Sequence, residues 1–290
     1  MTHDRDPFSY DRREHEAEVA AWRRARLARL TAPDSWLSLV GRFPLAEGTS
    51  TVGADVTCDV VLPAEKAPPL VGQFERAGAV IRFTPAAGVA MSLQRRPGSQ
   101  PLEPGVPVTV RSDRDGEPDK LALGLLTLEV TEQPAGSFVR VRDPESPTRR
   151  AFPGLEYFPI TSRWRVVARL EPHEPPQALE LGYESGSSER YESPGDAVFE
   201  LDGVVHRVTP VYINNRSRLY LVFRDATAGD TSYGAGRFLY APLPEAGRVL
   251  LDFNEAFSPP CAFTPYAACP LAPLQNRLAI RVEAGEMSRH

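Results

Sequence analysis

Apolar and polar residues are arranged in two different ways along this chain, and the change occurs near Trp36. Before it, four apolar side chains fall on one broad stripe at helical spacing, with Arg and Glu on the other faces: Val19, Trp22, Leu27 and Leu30. Asp6 followed by Pro7 is typical of a helix start. The pattern predicts a helix over 6–30 in an N-terminal segment of residues 1–34. This helix would brace a following domain or form a dimer contact.

From Trp36 onward, short apolar runs separated by turns predict β-strands without helices between them. In residues 35–133 the runs are Trp36–Val40, Ser50–Val52, Val60–Leu62, Gly72–Glu75, Ala79–Phe83, Ala90–Leu93, Val106–Val110, Lys120–Leu123 and Leu125–Val130. Their regular spacing predicts a β-sandwich. The turn residues at 133–136 suggest a seam between two domains.

Residues 137–290 show the same kind of pattern and predict a second β unit, a barrel or a curled sheet. Its runs are Ser137–Arg142, Arg163–Leu170, Ala178–Leu181, Ala197–Leu201, Val204–Val211, Arg218–Phe223, Arg237–Leu239, Val249–Phe253 and Arg277–Val282. Asp202-Gly203 predicts a hairpin turn. The residues at 185–188 predict an exposed loop. The expected fold class is therefore all-β with an N-terminal helix.

Composition narrows the function classes. The chain has 290 residues, 42% of them hydrophobic, and a net charge of −5, which is ordinary for a globular protein and disfavours a general nucleic-acid grip. No run approaches the roughly 20 apolar residues of a membrane-spanning helix, and no secretory signal is visible. We expect a cytoplasmic protein, with free thiols at Cys58, Cys261 and Cys269.

Polar residues cluster at the predicted strand ends of the second half. They are Arg224, Asp225, Thr227, Tyr233, Arg237, Asp252, Asn254, Glu255, Asn276 and Arg277. Such a set predicts a pocket for a small anionic or oxygen-rich ligand, held by the arginines and oriented by the carboxylates. Asp225, Asp252 and Glu255 are candidates for proton transfer. The alternative is a structural network of ion pairs and turn caps.

Cysteine chemistry offers a separate hypothesis. Cys261 is a candidate nucleophile, and His206 is its most credible base among the five histidines. The alternative is that Cys261 and Cys269 are small buried side chains in a proline-rich loop. The spacing of the cysteines matches no standard metal motif, so no metal is predicted.

Nucleotide motifs are weak in this sequence. The element Tyr233-Gly-Ala-Gly-Arg237 lacks the third glycine and the helix of a dinucleotide site. It predicts a tight loop whose backbone closely approaches another segment or a ligand. Neither a Walker A sequence nor a G-x-S-x-G elbow occurs. No cofactor is predicted.

The first half resembles a forkhead-associated domain. The resemblance rests on Thr51–Leu62, Val71–Glu75 and Leu121–Glu129. It implies a β-sandwich that reads phosphothreonine through an arginine and a serine. Here Ala54 stands at the arginine position and Pro68-Pro69-Leu70 in the serine region, so phosphopeptide binding is not carried over. The sandwich is instead a candidate protein-interaction module.

Most of the chain resembles the bacterial and archaeal family called domain of unknown function sixteen eighty-four. The matching segments are Trp36–Val40, Phe152–Phe158, Val222–Gly229, Tyr233–Leu239, Leu251–Leu271, Asn276–Leu278 and Glu283–Glu286. The resemblance implies no catalytic residue. Three functions stay open: a small-molecule site, an interaction module and a thiol enzyme. The sequence does not decide whether the protein is an enzyme or which oligomer it forms.

Overall fold

The computed structural model describes residues 8–288. The chain forms two compact units. Unit 1 comprises residues up to Arg29, Pro153–Phe263 and residues from Ala268 onward, and unit 2 comprises Leu30–Phe152 with Thr264–Ala267. Strands dominate both, which confirms the all-β class with an N-terminal helix.

Helix α1 spans Arg12–Leu30. It begins later than the predicted start, because the carboxylate of Asp11 accepts a hydrogen bond from the amide of Glu14 at 2.9 Å and so caps the first turn. Asp6 and Pro7 lie outside the described residues. In unit 1, Trp22 of α1 packs against the rings of Tyr157 and Phe257. Val19, Trp22 and Leu30 of the predicted stripe are therefore packed, whereas Leu27 is 38% exposed and does not belong to the packed face.

Unit 2 is a sandwich of two sheets. Its strands are β1 Leu39–Pro44, β2 Gly48–Gly53, β3 Val60–Val61, β4 Gly72–Ala77, β5 Val80–Pro85, β6 Ser92–Arg95, β7 Gly98–Pro101, β8 Val108–Thr109, β9 Lys120–Leu123, β10 Leu126–Gln133 and β11 Gly136–Arg142, followed by the short helix α2 Pro147–Arg150. One sheet has the order β1-β11-β10-β9-β6-β7 and the other β3-β2-β4-β5-β8. Side chains of both sheets form a single apolar cluster, including Phe74, Phe83 and Leu128.

The seam expected at 133–136 is the turn of a hairpin. Strands β10 and β11 pair from Thr127 with Arg142 to Gln133 with Gly136. Gly136 has a φ of 127°, which suits a tight reversal. The apolar run 137–142 therefore belongs to unit 2, and the transition between the units falls at residues 152–153.

Unit 1 contains two further sheets. Its strands are β12 Arg165–Gly182, β13 Ser188–Leu201, β14 Val204–Val208, β15 Val211–Ile213, β16 Arg218–Phe223, β17 Arg237–Ala241 and β18 Arg248–Asp252. The orders are β14-β13-β12-β18 and β15-β16-β17. Strands β12 and β13 form one long hairpin, whose register shifts between Pro172 and Gln177, where prolines cannot donate to the ladder.

The segment 277–282 differs from its predicted strand. Its backbone pairs with the loop that follows β16: the amide of Leu278 donates to the carbonyl of Arg224, and the amide of Ala226 donates to that of Ile280. The amide of Val282 donates to the side-chain carboxylate of Asp225 instead of to a backbone carbonyl. Only one isolated bridge, between Arg224 and Arg277, results. The segment thus closes over β16 and β17 as a strap.

Candidate functional site

Arg237 is the centre of a buried polar network in unit 1. It begins β17, and its side chain is 0% exposed. Its Nη2 group donates to the carboxylate of Asp225 at 3.1 Å and to the carbonyl of Val282 at 2.8 Å. The Nη1 group donates to the carbonyls of Ala284 and Glu286. Burial lowers the pKa of Arg237, while the Asp225 carboxylate opposes the shift.

Asp225 is saturated by neighbouring donors. Its Oδ2 accepts hydrogen bonds from the amide and hydroxyl of Thr227 and from the amide of Val282, at 3.1, 2.7 and 2.8 Å. The hydroxyl of Thr227 also pairs with that of Ser232 at 2.7 Å. These side chains bond to one another and to the backbone strap. In the structure the group is a structural network of the kind that the sequence left as the alternative to a pocket.

Two glycines near this network allow close contacts between backbone segments. Gly236 has a φ of 105°, and a Cβ there would lie 2.4 Å from the carbonyl oxygen of Phe223. Gly285 has a φ of 76°, and its Cβ would lie 2.4 Å from the carbonyl oxygen of Ala256. The glycine loop predicted at 233–237 therefore does bring the backbone next to another segment.

Three further residues of the predicted polar set are Arg224, Asn276 and Arg277. Arg224 is exposed and donates through Nε to the carbonyl of Gly234 at 3.0 Å. Arg224 and Asp225 thus point to opposite sides of the strand end, as alternation predicts. Asn276 is buried and binds both backbone groups of Thr209, at 2.7 and 3.1 Å. Arg277 is exposed.

Cys261 lies beside Cys269 and Tyr233. The amide of Cys261 donates to the sulfur of Cys269 at 3.3 Å, and the hydroxyl of Tyr233 donates to the carbonyl of Cys261 at 3.2 Å. Hydrogen bonding with Cys269 is the main cause that lowers the pKa of Cys261 to about 7; burial opposes this shift, and Tyr233 adds to it.

His206, the predicted base for Cys261, lies on β14 and packs against the ring of Phe199. The neighbours that shift the pKa of Cys261 are Cys269, Tyr233 and Glu184. Within residues 8–288, no three His, Cys, Asp or Glu side chains are grouped so that they could hold a metal ion.

Asp252 and Asn254 form a second polar group in unit 1, at the end of β18. Asp252 accepts at Oδ1 from the amide and the side-chain nitrogen of Asn254, at 3.0 and 2.8 Å. Asn254 is buried and binds the backbone of Thr161 in both directions, each at 3.0 Å. The carboxylate of Asp252 is thereby held in one orientation.

His15 of α1 is the partner of this carboxylate. Its Nε2 lies 2.6 Å from Oδ2 of Asp252. An ionised carboxylate only accepts hydrogen bonds, so Nε2 carries a proton; whenever the imidazole is neutral, Nδ1 therefore has the lone pair. His15 is 3% exposed, and its Nδ1 is buried with no hydrogen-bond partner among the described residues. The pair has the arrangement of a histidine base held by a carboxylate.

Glu255 follows this group in the chain. Burial raises the pKa of its carboxyl to about 7, and the charges of Asp252 and Glu18 raise it further, against Arg218. A carboxyl with such a pKa exchanges protons near neutral pH. Of the residues predicted for proton transfer, Asp252 and Glu255 therefore lie near each other, while Asp225 belongs to the separate Arg237 network.

A cavity of about 200 Å³ opens beside His15 within unit 1. Its walls carry hydroxyls, one cation and one carboxylate in addition to the imidazole: Tyr10, Arg12, His15, Glu16, Ile160, Thr161 and Ser162. The lining contains none of the residues predicted for ligand binding. His15 and Thr161 connect it to Asp252 and Asn254 by direct hydrogen bonds.

The sequence did contain a signal for His15. It lies four residues before Val19, so it falls on the stripe that also holds Trp22. A histidine on the packed face of an amphipathic helix indicates either a buried polar contact or a site. The helical pattern does not indicate which of these applies, because Asp252 lies 237 positions away in the sequence.

The described part of the chain, residues 8–288, has no helix long and apolar enough to cross a membrane. A comparison with curated proteins gives no match. The chain is similar to an uncharacterised protein of Haloarcula marismortui whose structure was solved by NMR in solution. The two share 33% identity over 50% of this chain and 83% of the other, with a TM-score of 0.42.

A family match covers much of unit 1. Residues 150–287 match the family described as protein of unknown function (DUF1684). The match includes Asp225, Arg237, Asp252 and Cys261, and it excludes α1 and the sandwich strands β1–β11. The segment 150–287 thus carries the sequence pattern of that family.

Proposed function

We propose that unit 1 binds a small, oxygen-rich molecule in the cavity beside His15, and that His15 exchanges a proton with it. One observation carries this proposal. The imidazole is fixed by Asp252 through Nε2 at 2.6 Å, while Nδ1, in a ring that lines the cavity, is buried without a partner. A buried polar atom without a hydrogen bond is costly, and a ligand hydroxyl or carboxyl would supply the missing donor.

The support behind His15 favours a catalytic or binding role. The backbone of Thr161 orients the amide of Asn254, which orients the carboxylate of Asp252. This carboxylate in turn orients the imidazole of His15. Such a chain fixes both the orientation and the tautomer of a histidine. The same chain explains why Asp252 and Asn254, two residues predicted from the sequence, belong to the site without lining it.

The lining sets the class of ligand. A volume of about 200 Å³ corresponds to roughly six water molecules, which is room for a small hydroxy acid or polyol. Arg12 offers a cation, although Glu16 already pairs with it at 2.8 Å. The hydroxyls of Tyr10 and Ser162 offer neutral hydrogen-bonding partners. We therefore favour hydroxylated or carboxylated molecules over apolar ones.

The proposal is tested by titrating the full chain with glycolate, lactate and glycerol while recording the imidazole nitrogens by NMR. His206 is the matched internal control, because its Nε2 is also buried without a partner but does not line the cavity. We expect at least one compound to shift His15 and leave His206 unchanged, and His15→Phe to abolish its binding measured by calorimetry. Equal shifts at both histidines, or none, would overturn the proposal.

Thiol chemistry at Cys261 is a second candidate function. The observation that favours it is the pKa of about 7, which gives a substantial thiolate fraction at neutral pH. The contacts of His206 do not support it as the base, so Cys269 and Tyr233 would be the neighbours that tune the thiol. Its test is the alkylation experiment given in the Discussion.

Three statements about the whole protein stay predictions from the sequence. They are the forkhead-associated resemblance of residues 35–133, the extension of the family pattern beyond residues 150–287, and a cytoplasmic location. The sandwich of unit 2 supports the first at the level of architecture alone.

A further inference from the structure

A second cavity, also of about 200 Å³, opens in unit 2 and is lined mainly by cations. It lies between the β6–β7 turn and the segment that leads into β9. Its lining residues are Gln94, Arg95, Arg96, Pro97, Gly98, Arg111, Glu117, Pro118 and Lys120. Four of these side chains are basic and one is acidic, in a chain whose net charge is −5. The cavity therefore differs sharply in charge from the protein as a whole.

A buried carboxylate holds two of the arginines in place. Asp119 is 0% exposed, and its Oδ1 accepts from Nε of Arg95 at 2.9 Å and from Nη2 of Arg111 at 2.9 Å. Its Oδ2 accepts from the backbone amide of Arg111 at 2.9 Å. Burial alone would raise the pKa of Asp119, but hydrogen bonds from Arg95 and Arg111 outweigh it and hold the pKa at about 2. Asp119 is thus ionised at neutral pH and orients both guanidinium groups.

Each guanidinium keeps an unused donor. The bonds of Arg95 use Nε and Nη2, and so do those of Arg111. Within the described range 8–288, neither Nη1 group makes a hydrogen bond of its own. Two fixed guanidinium groups with free Nη1 donors suit an oxyanion, which accepts several hydrogen bonds at once.

The other charged groups leave an excess of positive charge. Arg96 lies 3.2 Å from Glu117, and Lys120 lies 3.6 Å from Asp34, outside hydrogen-bond distance. Asp34 is exposed, so water weakens its attraction for Lys120. Together with Asp119, these carboxylates do not neutralise four cations.

We propose that this cavity binds a phosphate-type oxyanion, either inorganic phosphate or the phosphate group of a small organic ester. The excess of positive charge favours an anion, and the volume accepts a phosphate with room for a short ester substituent. Arg95 and Arg111 would clamp the oxyanion through their Nη1 groups, and Arg96 and Lys120 would close over it. This site lies in unit 2 and is independent of the cavity beside His15 in unit 1.

The test measures binding of inorganic phosphate to the full chain by calorimetry at pH 8 in constant chloride, with glycerol 1-phosphate as the ester probe. The variant R96Q/K120Q removes two lining cations, and R114Q/R82Q is the matched control, because both of its positions lie in unit 2 outside the lining. We expect at least tenfold weaker binding in R96Q/K120Q and unchanged binding in the control.

Comparison of the two probes decides the source of the anion: tighter binding of glycerol 1-phosphate assigns an organic ester, and tighter binding of phosphate assigns the free ion. Equal loss in both double variants, or no binding to the wild type below 10 mM (an order-of-magnitude limit for weak ions, about −3 kcal/mol), would overturn the proposal. His15→Phe should leave phosphate binding unchanged, so failure here is distinguishable from failure of the site in unit 1.

Discussion

His15 and Asp252 are 237 positions apart in the sequence, yet their side chains meet at 2.6 Å between Nε2 and Oδ2. The contact joins the first turns of α1 to the end of β18 inside unit 1. Because Asp252 is itself bonded to Asn254, its carboxylate has a fixed orientation, which favours the ring with a proton on Nε2.

Asp252→Asn should reverse that tautomer. The amide of Asn would donate to Nε2, so the ring proton would move to Nδ1 and the lone pair of Nδ1 would be lost. The nitrogen chemical shifts of His15 measure this directly, and Asp230→Asn, at an exposed position, is the control. Unchanged shifts in the Asp252 variant would show that the carboxylate does not set the tautomer.

Arg237→Ala should destabilise unit 1 severely. The substitution leaves the carboxylate of Asp225 buried without its cation and removes the donors for three carbonyl groups, a loss of roughly 3–5 kcal/mol. Urea denaturation measures it, and Arg224→Ala is the control because that neighbour is exposed. If both variants unfold at the wild-type urea concentration, the network contributes little to stability and Arg237 is available for another role.

Glu255→Gln should stabilise the protein above pH 7. The folded pKa of about 7 exceeds the ordinary 4.5, so the folded state retains a proton that the unfolded chain has lost, and stability falls as pH rises from 4.5 to 7. At about 1.4 kcal/mol for each pKa unit, reduced for partial exposure, the gain is roughly 2 kcal/mol. Thermal melts at pH 4 and pH 8 measure it. Glu245→Gln, at an exposed position, should show no such difference.

Cys261 should react with iodoacetamide with a midpoint near pH 7, because the thiolate is the nucleophile. Peptide mass spectrometry after timed labelling measures the rate at each pH. Cys269→Ser removes the largest cause of the lowered pKa and should move the midpoint upward. A midpoint that does not respond to Cys269 would contradict the arrangement of the two sulfurs.

Asp119 should contribute acid-sensitive stability to unit 2. Its folded pKa of about 2 lies below the ordinary 3.8, so the contribution is complete above pH 3.8 and disappears as pH falls through 2. Asp119→Asn should remove roughly 2 kcal/mol at neutral pH and flatten the acid limb of the stability curve. Acid titration followed by tryptophan fluorescence measures it. A steeper acid limb in the variant than in the wild type would contradict this assignment.

Local patterns predicted much of the fold. The helical stripe with Trp22 and the short apolar runs of the strands depend on neighbours in sequence, so the sequence alone predicts them. The turn residues at 133–136 predict a boundary between two domains, but in the structure they form a hairpin turn. The same residue types end a strand whether or not the next strand pairs with it.

The candidate site was predictable only in part. Asp252, Asn254 and Glu255 stand out as polar residues at a strand end, but their partner is on a distant helix. Arg237 is a residue type that often binds anionic ligands, and only the structure shows that backbone carbonyls of residues 282–286 occupy its donors. Contacts between remote segments depend on tertiary packing, which periodicity does not report.

Unit 1 consists of chain segments that precede and follow most of unit 2 in the sequence, and Arg26 of α1 donates a hydrogen bond to the buried carboxylate of Glu286, 260 positions away. The ribosome synthesises α1 early and the segment that contains Glu286 much later. Helix α1 is therefore synthesised before its partners in unit 1. Most of unit 2, whose strands are contiguous in the sequence, is synthesised in between. Because synthesis runs from the N-terminus, unit 1 is the last of the two units to be completed.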